Sequence, residues 1–185
     1  MKKLAALSLA LLLALSLTAA TAETYAAGSY YTIDYPETLT LDNTSYTDES
    51  SADYEWLFML TGEDYLIDAS LSPVSDYEGF SLYSATEDEK QAYVEDTLSA
   101  YSDESAVLTD TLTTGEGVPF YIFTMEDSDG VYLYAETIAN GQSVNFCCYY
   151  NDGSAAPDDT LLGYLRTVLE TFRKGAPSNS SAITG

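Results

Sequence analysis

Through most of its length the chain alternates apolar and polar residues with a period of two. That is the mark of strands whose side chains point to the two faces in turn. The alternation predicts strands at Tyr30–Tyr35, Thr38–Leu41, Tyr54–Leu60, Tyr65–Leu71, Ala106–Leu112, Val118–Met125, Val131–Ile138 and Ser143–Tyr150. Turn signals separate several of them: Thr61-Gly62-Glu63-Asp64, Asp127-Ser128-Asp129-Gly130 and Asn140-Gly141. Two stretches follow helical spacing instead. Thr86 with Glu89 forms a capping box, and Tyr93, Val94, Thr97, Leu98 and Tyr101 then fall on one face. In the second, Asp158 and Asp159 suit a helix start. Leu161, Leu162, Leu165, Val168, Leu169 and Phe172 make a stripe, and Arg173 and Lys174 suit the helix end, with Gly175 as its cap.

Asn140-Gly141 is the sharpest turn signal, because a type I′ turn needs positive φ at both central residues. A two-residue turn there sets Ile138 opposite Ser143, Ala135 opposite Phe146, Tyr134 opposite Cys147 and Leu133 opposite Cys148. One face of the hairpin then carries Leu133, Ala135, Val144, Phe146 and Cys148. The other carries Tyr132, Tyr134, Glu136, Ile138, Cys147 and Tyr149, joined by Tyr121 and Phe123 from the strand before. Both faces are substantially apolar, so each needs cover. One helix per face gives an α+β fold, a three-layer α/β/α sandwich around a mostly antiparallel sheet.

The register also bears on the only two cysteines, adjacent in Ser143-Val144-Asn145-Phe146-Cys147-Cys148-Tyr149-Tyr150. Neighbours in a strand point to opposite faces, with Cα atoms about 3.8 Å apart, closer than the usual disulfide range of about 4.4–6.8 Å. Cys148 is expected in the core and Cys147 free or half-buried, with an intermolecular bond through Cys147 as the alternative.

Composition adds where the chain goes. Lys2, Lys3, the apolar run Leu4–Thr18 and Ala20-Thr21-Ala22 read as a bacterial export signal cut after Ala22. The remaining 163 residues suit one domain, 23–174, followed by a flexible tail over 175–185. They hold 4 basic and 30 acidic residues, a formal charge of −26. Such a surface lacks the clustered cations that nucleic acid requires. No second long apolar run follows the leader, so a soluble, secreted monomer without stable membrane insertion is expected.

A resemblance sharpens the fold. Tyr31-Thr32-Ile33-Asp34-Tyr35-Pro36-Glu37 resembles the opening strand of PsbP-like domains, where an aromatic-x-x-x-Tyr-Pro stretch precedes the first turn. The segment Leu161–Lys174 is similar to their closing helix. The order of a central helix, antiparallel strands and a last helix is similar too. The resemblance spans about residues 29–174 on the ordinary size of a domain. It implies an α/β/α sandwich and no activity.

The chain has no histidine, which removes Ser-His-Asp and Cys-His nucleophile systems and His-ligated zinc. Phosphate-cradling and dinucleotide motifs are absent as well. Carboxylate chemistry remains, yet nothing selects a pair. Glu136 is the one carboxylate placed mid-strand on an aromatic face, and it is read as lying near the sheet edge and reaching water. Asp127 and Asp129 alternate before Gly130, as calcium ligands do, but lack the rest of an EF-hand loop, so a polar turn competes with weak calcium binding. No other cofactor is expected. Tyr121, Tyr132, Tyr134 and Tyr149 share a face and could grip a sugar or peptide. The competing reading is that a helix covers them and their rings are core. The expected function is non-catalytic binding of an extracellular protein, peptide or glycan. The alternatives are an acidic carbohydrate-active hydrolase with two carboxylates and a calcium-responsive surface protein.

Overall fold

A computed structural model describes residues 22–44, 55–73, 79–126, 130–152 and 155–175. The leader, the Asp127–Asp129 turn and the tail beyond 175 fall outside these residues, so the expectations placed there do too. The strands are β1 (Ala22–Ala27), β2 (Tyr31–Pro36), β3 (Thr40–Asp42), β4 (Glu55–Thr61) and β5 (Tyr65–Pro73). Helix α1 (Glu87–Ala100) follows, then β6 (Val107–Thr113), β7 (Pro119–Glu126), β8 (Val131–Ala139) and β9 (Gln142–Tyr150). Helix α2 (Asp159–Leu169) and the short β10 (Arg173–Lys174) complete the order.

Seven strands form one sheet in the order β3-β4-β5-β9-β8-β7-β6, and β1-β2-β10 form a second. Every described pairing is antiparallel. The fold is α+β. The hairpin register agrees with the sequence reading: Ile138 pairs with Ser143, Ala135 with Phe146, Tyr134 with Cys147 and Leu133 with Cys148. Its turn has φ of 54° at Asn140 and 76° at Gly141, the backbone that a type I′ turn demands.

The two faces of the large sheet build separate cores. On the Cys148 face, Phe58, Ile67, Phe120, Ala135 and Phe146 pack with Leu161, Leu165, Val168 and Leu169 of α2. Tyr31, Ile33 and Tyr35 of the small sheet join them. Phe146 is the hub, its ring centroid 5.9 Å from those of Tyr31 and Phe120 and 6.2 Å from that of Phe58. On the Tyr121 face, Phe123, Met125 and Ile138 pack with Tyr93 of α1 and with Leu82. Val94 and Leu98 of α1, and Tyr101 just after it, pack around them.

Helix α1 begins where the capping box placed it. The Thr86 hydroxyl accepts from the backbone N–H of Glu89 at 3.3 Å, and the Glu89 carboxylate accepts from the N–H of Thr86 at 2.7 Å. Helix α2 starts at Asp158, whose carboxylate accepts from the N–H groups of Thr160 and Leu161.

The end of α2 corrects the sequence reading. It stops at Leu169 rather than running to Lys174. The Thr171 hydroxyl accepts from the N–H of Asp34 at 2.8 Å, and Arg173 donates to both carboxylate oxygens of Asp34 at 2.7 and 2.8 Å. Those bonds draw the chain onto β2, where Arg173 pairs with Thr32 and Lys174 with Tyr31. The bidentate clamp holds the Asp34 carboxyl down at about 2. Gly175 serves close approach rather than a helix cap. Its N–H donates to the Tyr30 carbonyl at 2.6 Å, and a Cβ there would stand 1.7 Å from the carbonyl oxygen of Ser29.

The Tyr31 hydroxyl is buried among rings with no hydrogen-bond partner among the described residues. A buried hydroxyl left unpaired costs about 1–3 kcal/mol. Tyr31→Phe is therefore expected to raise the stability by about 1 kcal/mol, read as a higher urea midpoint at unchanged slope. A lower midpoint would show that the hydroxyl is satisfied.

Candidate functional site

Strand alternation gathers polar groups on the α1 side of the sheet. Glu136 of β8 lies opposite Asn145 of β9 and Tyr121 of β7. It is only 8% exposed, which corrects its reading as an edge residue reaching water. Four strands lie to one side of β8 and two to the other, and α1 lays Tyr93 over this part of the face. Burial pushes the Glu136 carboxyl above its ordinary range, opposed by hydrogen bonds from Ser143 and Tyr93. Ser143 Oγ is 2.7 Å from Glu136 Oε1 and 2.8 Å from Asn145 Oδ1. A hydroxyl has one proton for these two acceptors. A protonated Glu136, or an Asn145 amide turned to offer its nitrogen, satisfies the set, and burial favours the neutral acid.

Asp68 of β5 is the second carboxyl on this face. It lies opposite Cys147 of β9 and Met59 of β4. Desolvation raises it to about 7, against the pull of a hydrogen bond from Tyr149. The sheet geometry sets the Cα atoms of Asp68 and Glu136 about 12 Å apart, two strands and two residues removed. Glu136 is sealed under α1, so this pair does not open onto a shared cleft.

The four candidate tyrosines do share this face, but α1 takes part of it. Tyr121 is buried, its ring 5.8 Å from that of Tyr93. Tyr134 is half-buried, its ring edge-on to Tyr101 at 5.7 Å. Tyr132 and Tyr149 are also half-buried, Tyr132 against the α1 core and Tyr149 bonded to Asp68. The rings therefore do not form one open platform. Asp127 and Asp129 lie outside the described residues. Among the described residues no group of three carboxylate or thiol ligands is placed around a metal position. Cys147 is half-buried, and Cys148 is buried with its thiol pushed up by desolvation. The two thiols are not bonded to each other.

An open depression of about 380 Å³ lies elsewhere, at the far end of β5 and β9. Glu63 and Asp64 line one side, and Tyr150, Asn151, Asp152 and Ala155 the other. The pairing of Tyr65 with Tyr150 brings the two turns together. Asn151 then ties them, donating its backbone N–H to the Asp64 carbonyl at 2.9 Å and its side-chain amide to the Glu63 carbonyl at 3.2 Å. The Tyr150 hydroxyl donates to Asp158 at 2.7 Å, which raises the phenol to about 12 and fixes the ring at the rim. Beside it the rings of Tyr65 and Tyr164 stack at 4.0 Å. This arrangement offers a fixed aromatic wall and three carboxylates. The Thr61–Asp64 turn was legible in the sequence, whereas the non-local β5–β9 pairing that brings it to Tyr150 was not.

No protein-family model matches the chain, and no curated protein matches it. Among solved structures, the chain is similar to the solution structure of cyanobacterial PsbP (CyanoP) from Synechocystis sp. PCC 6803. Identity is 17%, the match covers 85% of this chain and 95% of that one, and the TM-score is 0.47. This is the family that the segments Tyr31–Glu37 and Leu161–Lys174 resemble in sequence. An overlap of this size transfers no residue roles. Among the described residues no helix is long and apolar enough to cross a membrane.

Asp68 gives the site a pH signature. Its folded value of about 7 lies above the ordinary 3.8, so the folded chain takes up the proton first. That contribution is full below about pH 4 and is lost as the pH rises through about 7. Urea midpoints should fall over this window, and Asp68→Asn should flatten that fall. Parallel profiles for the two proteins would refute the assignment.

Proposed function

We propose that this chain is an exported, non-catalytic binding domain of three-layer α/β/α design, and that its ligand is a peptide segment bearing basic side chains. The layering is supported by the separate contacts of the two helices, α1 on the Tyr121 face and α2 on the Cys148 face. Export is supported by the basic start, apolar run and small-residue cut site of residues 1–22.

The observation that carries the reading is the open depression beside Tyr150. Glu63, Asp64 and Asp152 set negative charge around an aromatic wall, and the whole chain carries a formal charge of −24. A cation meets both attractions there, Coulombic from the carboxylates and quadrupolar from the ring. Long-range attraction from the acidic surface speeds its arrival. Meanwhile the described carboxyls of highest proton affinity, Glu136 and Asp68, lie on the other face of the sheet.

A capped hexalysine peptide serves as the probe, titrated calorimetrically at low salt. Glu63→Gln with Asp152→Asn should weaken its binding by about tenfold, since each neutralised contact is worth about 0.5–1 kcal/mol. Glu87→Gln with Asp88→Asn removes the same charge from the exposed start of α1 and should change binding by less than about twofold. Equal losses in the two variants would mean that only the overall charge is sensed. Salt-insensitive binding of a neutral oligosaccharide, with no preference for hexalysine, would move the ligand class to glycans.

A further inference from the structure

The large sheet ends in two unlike edges. Strand β3 is three residues long, whereas β6 presents seven, Val107–Thr113. Strand β6 pairs with β7 on one side and has no strand neighbour on the other among the described residues. About half of its backbone N–H and C=O groups therefore point outward unpaired by the sheet. The side chains add to this. Val107 is 61% exposed and Leu108 39%, two of the three large apolar residues exposed among those described. Thr109, Thr111 and Thr113 are exposed as well, and threonine favours a pleated backbone. The core-facing side is firmly held. Leu112 is buried, and Asp110 is engaged by Arg166 of α2.

Long open edges normally carry guards against pairing with copies of themselves. Strand β6 has two. A register shift between Leu108 and Asp110 bends its first residues, and each chain carries a net charge of −24. Both oppose a second copy. Neither opposes a cationic strand laid along the regular run Asp110–Thr113. Exposed Asp103 just before β6 and exposed Glu126 at the end of β7 add negative charge at the Val107 end. We propose that β6 accepts an extended, basic segment of a partner protein as an added eighth strand. The Thr111 N–H already donates to the Asp110 carboxylate at 2.8 Å, so the Thr111 carbonyl and the N–H and carbonyl of Thr113 supply the ladder, Val107 and Leu108 supply apolar contact, and the flanking carboxylates select the charge. This surface is distinct from the depression beside Tyr150.

Hydrogen exchange tests it on the purified protein with three capped heptapeptides. One alternates lysine and valine, one alternates glutamate and valine, and one is the lysine peptide with every backbone nitrogen methylated, so that neither edge can donate. The lysine peptide should slow exchange within residues 107–113 by about tenfold or more at saturation, and the other two should not. Val107→Lys with Leu108→Lys, both at exposed positions, should weaken the lysine peptide by about tenfold at an unchanged thermal midpoint. The proposal is overturned if the methylated peptide protects equally, or if protection appears only in segments 62–65 and 150–155. It is also overturned if residues 107–113 become protected on raising the protein concentration alone, which would make the occupant a second copy.

Discussion

A sheet that is apolar on both faces cannot stand alone in water, and this requirement organises the molecule. Strands β7 and β8 carry large apolar groups in both directions, as with Ile122 and Phe123, or Leu133 and Tyr134. Burying one such side chain stabilises by about 1.5–3 kcal/mol, so leaving either face wet would forfeit much of the folding energy. Helix α2 and the small sheet answer one face, and α1 answers the other. The Phe146 hub sits where strands, small sheet and helix meet, and its truncation would open a void touching all three.

Covering both faces has a chemical cost. The alternation that sends apolar residues inward also carries Glu136, Ser143 and Asn145 under α1, where their polar atoms must satisfy one another. The Ser143 hydroxyl bridges Glu136 and Asn145, and burial raises the proton affinity of the carboxyl. Asp68, only half-covered and bonded to Tyr149, shows a milder form of the same effect. Raised proton affinity here follows from incomplete solvation. The open groups lie at the sheet's margins, where turns and edge strands meet solvent.

Much of the fold was legible because its signals are local. Period-two alternation located eight strands, and positive φ at Asn140 and Gly141 sets one register from which the facing of both cysteines follows. The Thr86–Glu89 box and Asp158 mark helix starts through bonds spanning three residues. What stayed hidden depends on distant partners. Strand β1, Ala-Glu-Thr-Tyr-Ala-Ala, has little apolar alternation and gains its conformation by pairing with β2. Phe172 continues the helical stripe of α2 in sequence, yet Asp34 and Thr171 end the helix first. Glu136 looked peripheral because no pattern in the strand reveals which helix closes over it. The depression joins groups 88 residues apart, such as Asn151 and Glu63, through a strand pairing that no hairpin turn announces.

The adjacent thiols carry a practical consequence. Cys147 and Cys148 are consecutive in sequence, but one belongs to the α1 side of the sheet and the other to the α2 side. An alkylating reagent reaches Cys148 only when the deeper interior breathes, while Cys147 answers to movements over the opposite surface. Both labels travel in a single proteolytic fragment, and breaking its backbone between the two residues in a tandem mass spectrum tells them apart, so one digest follows the loosening of both faces.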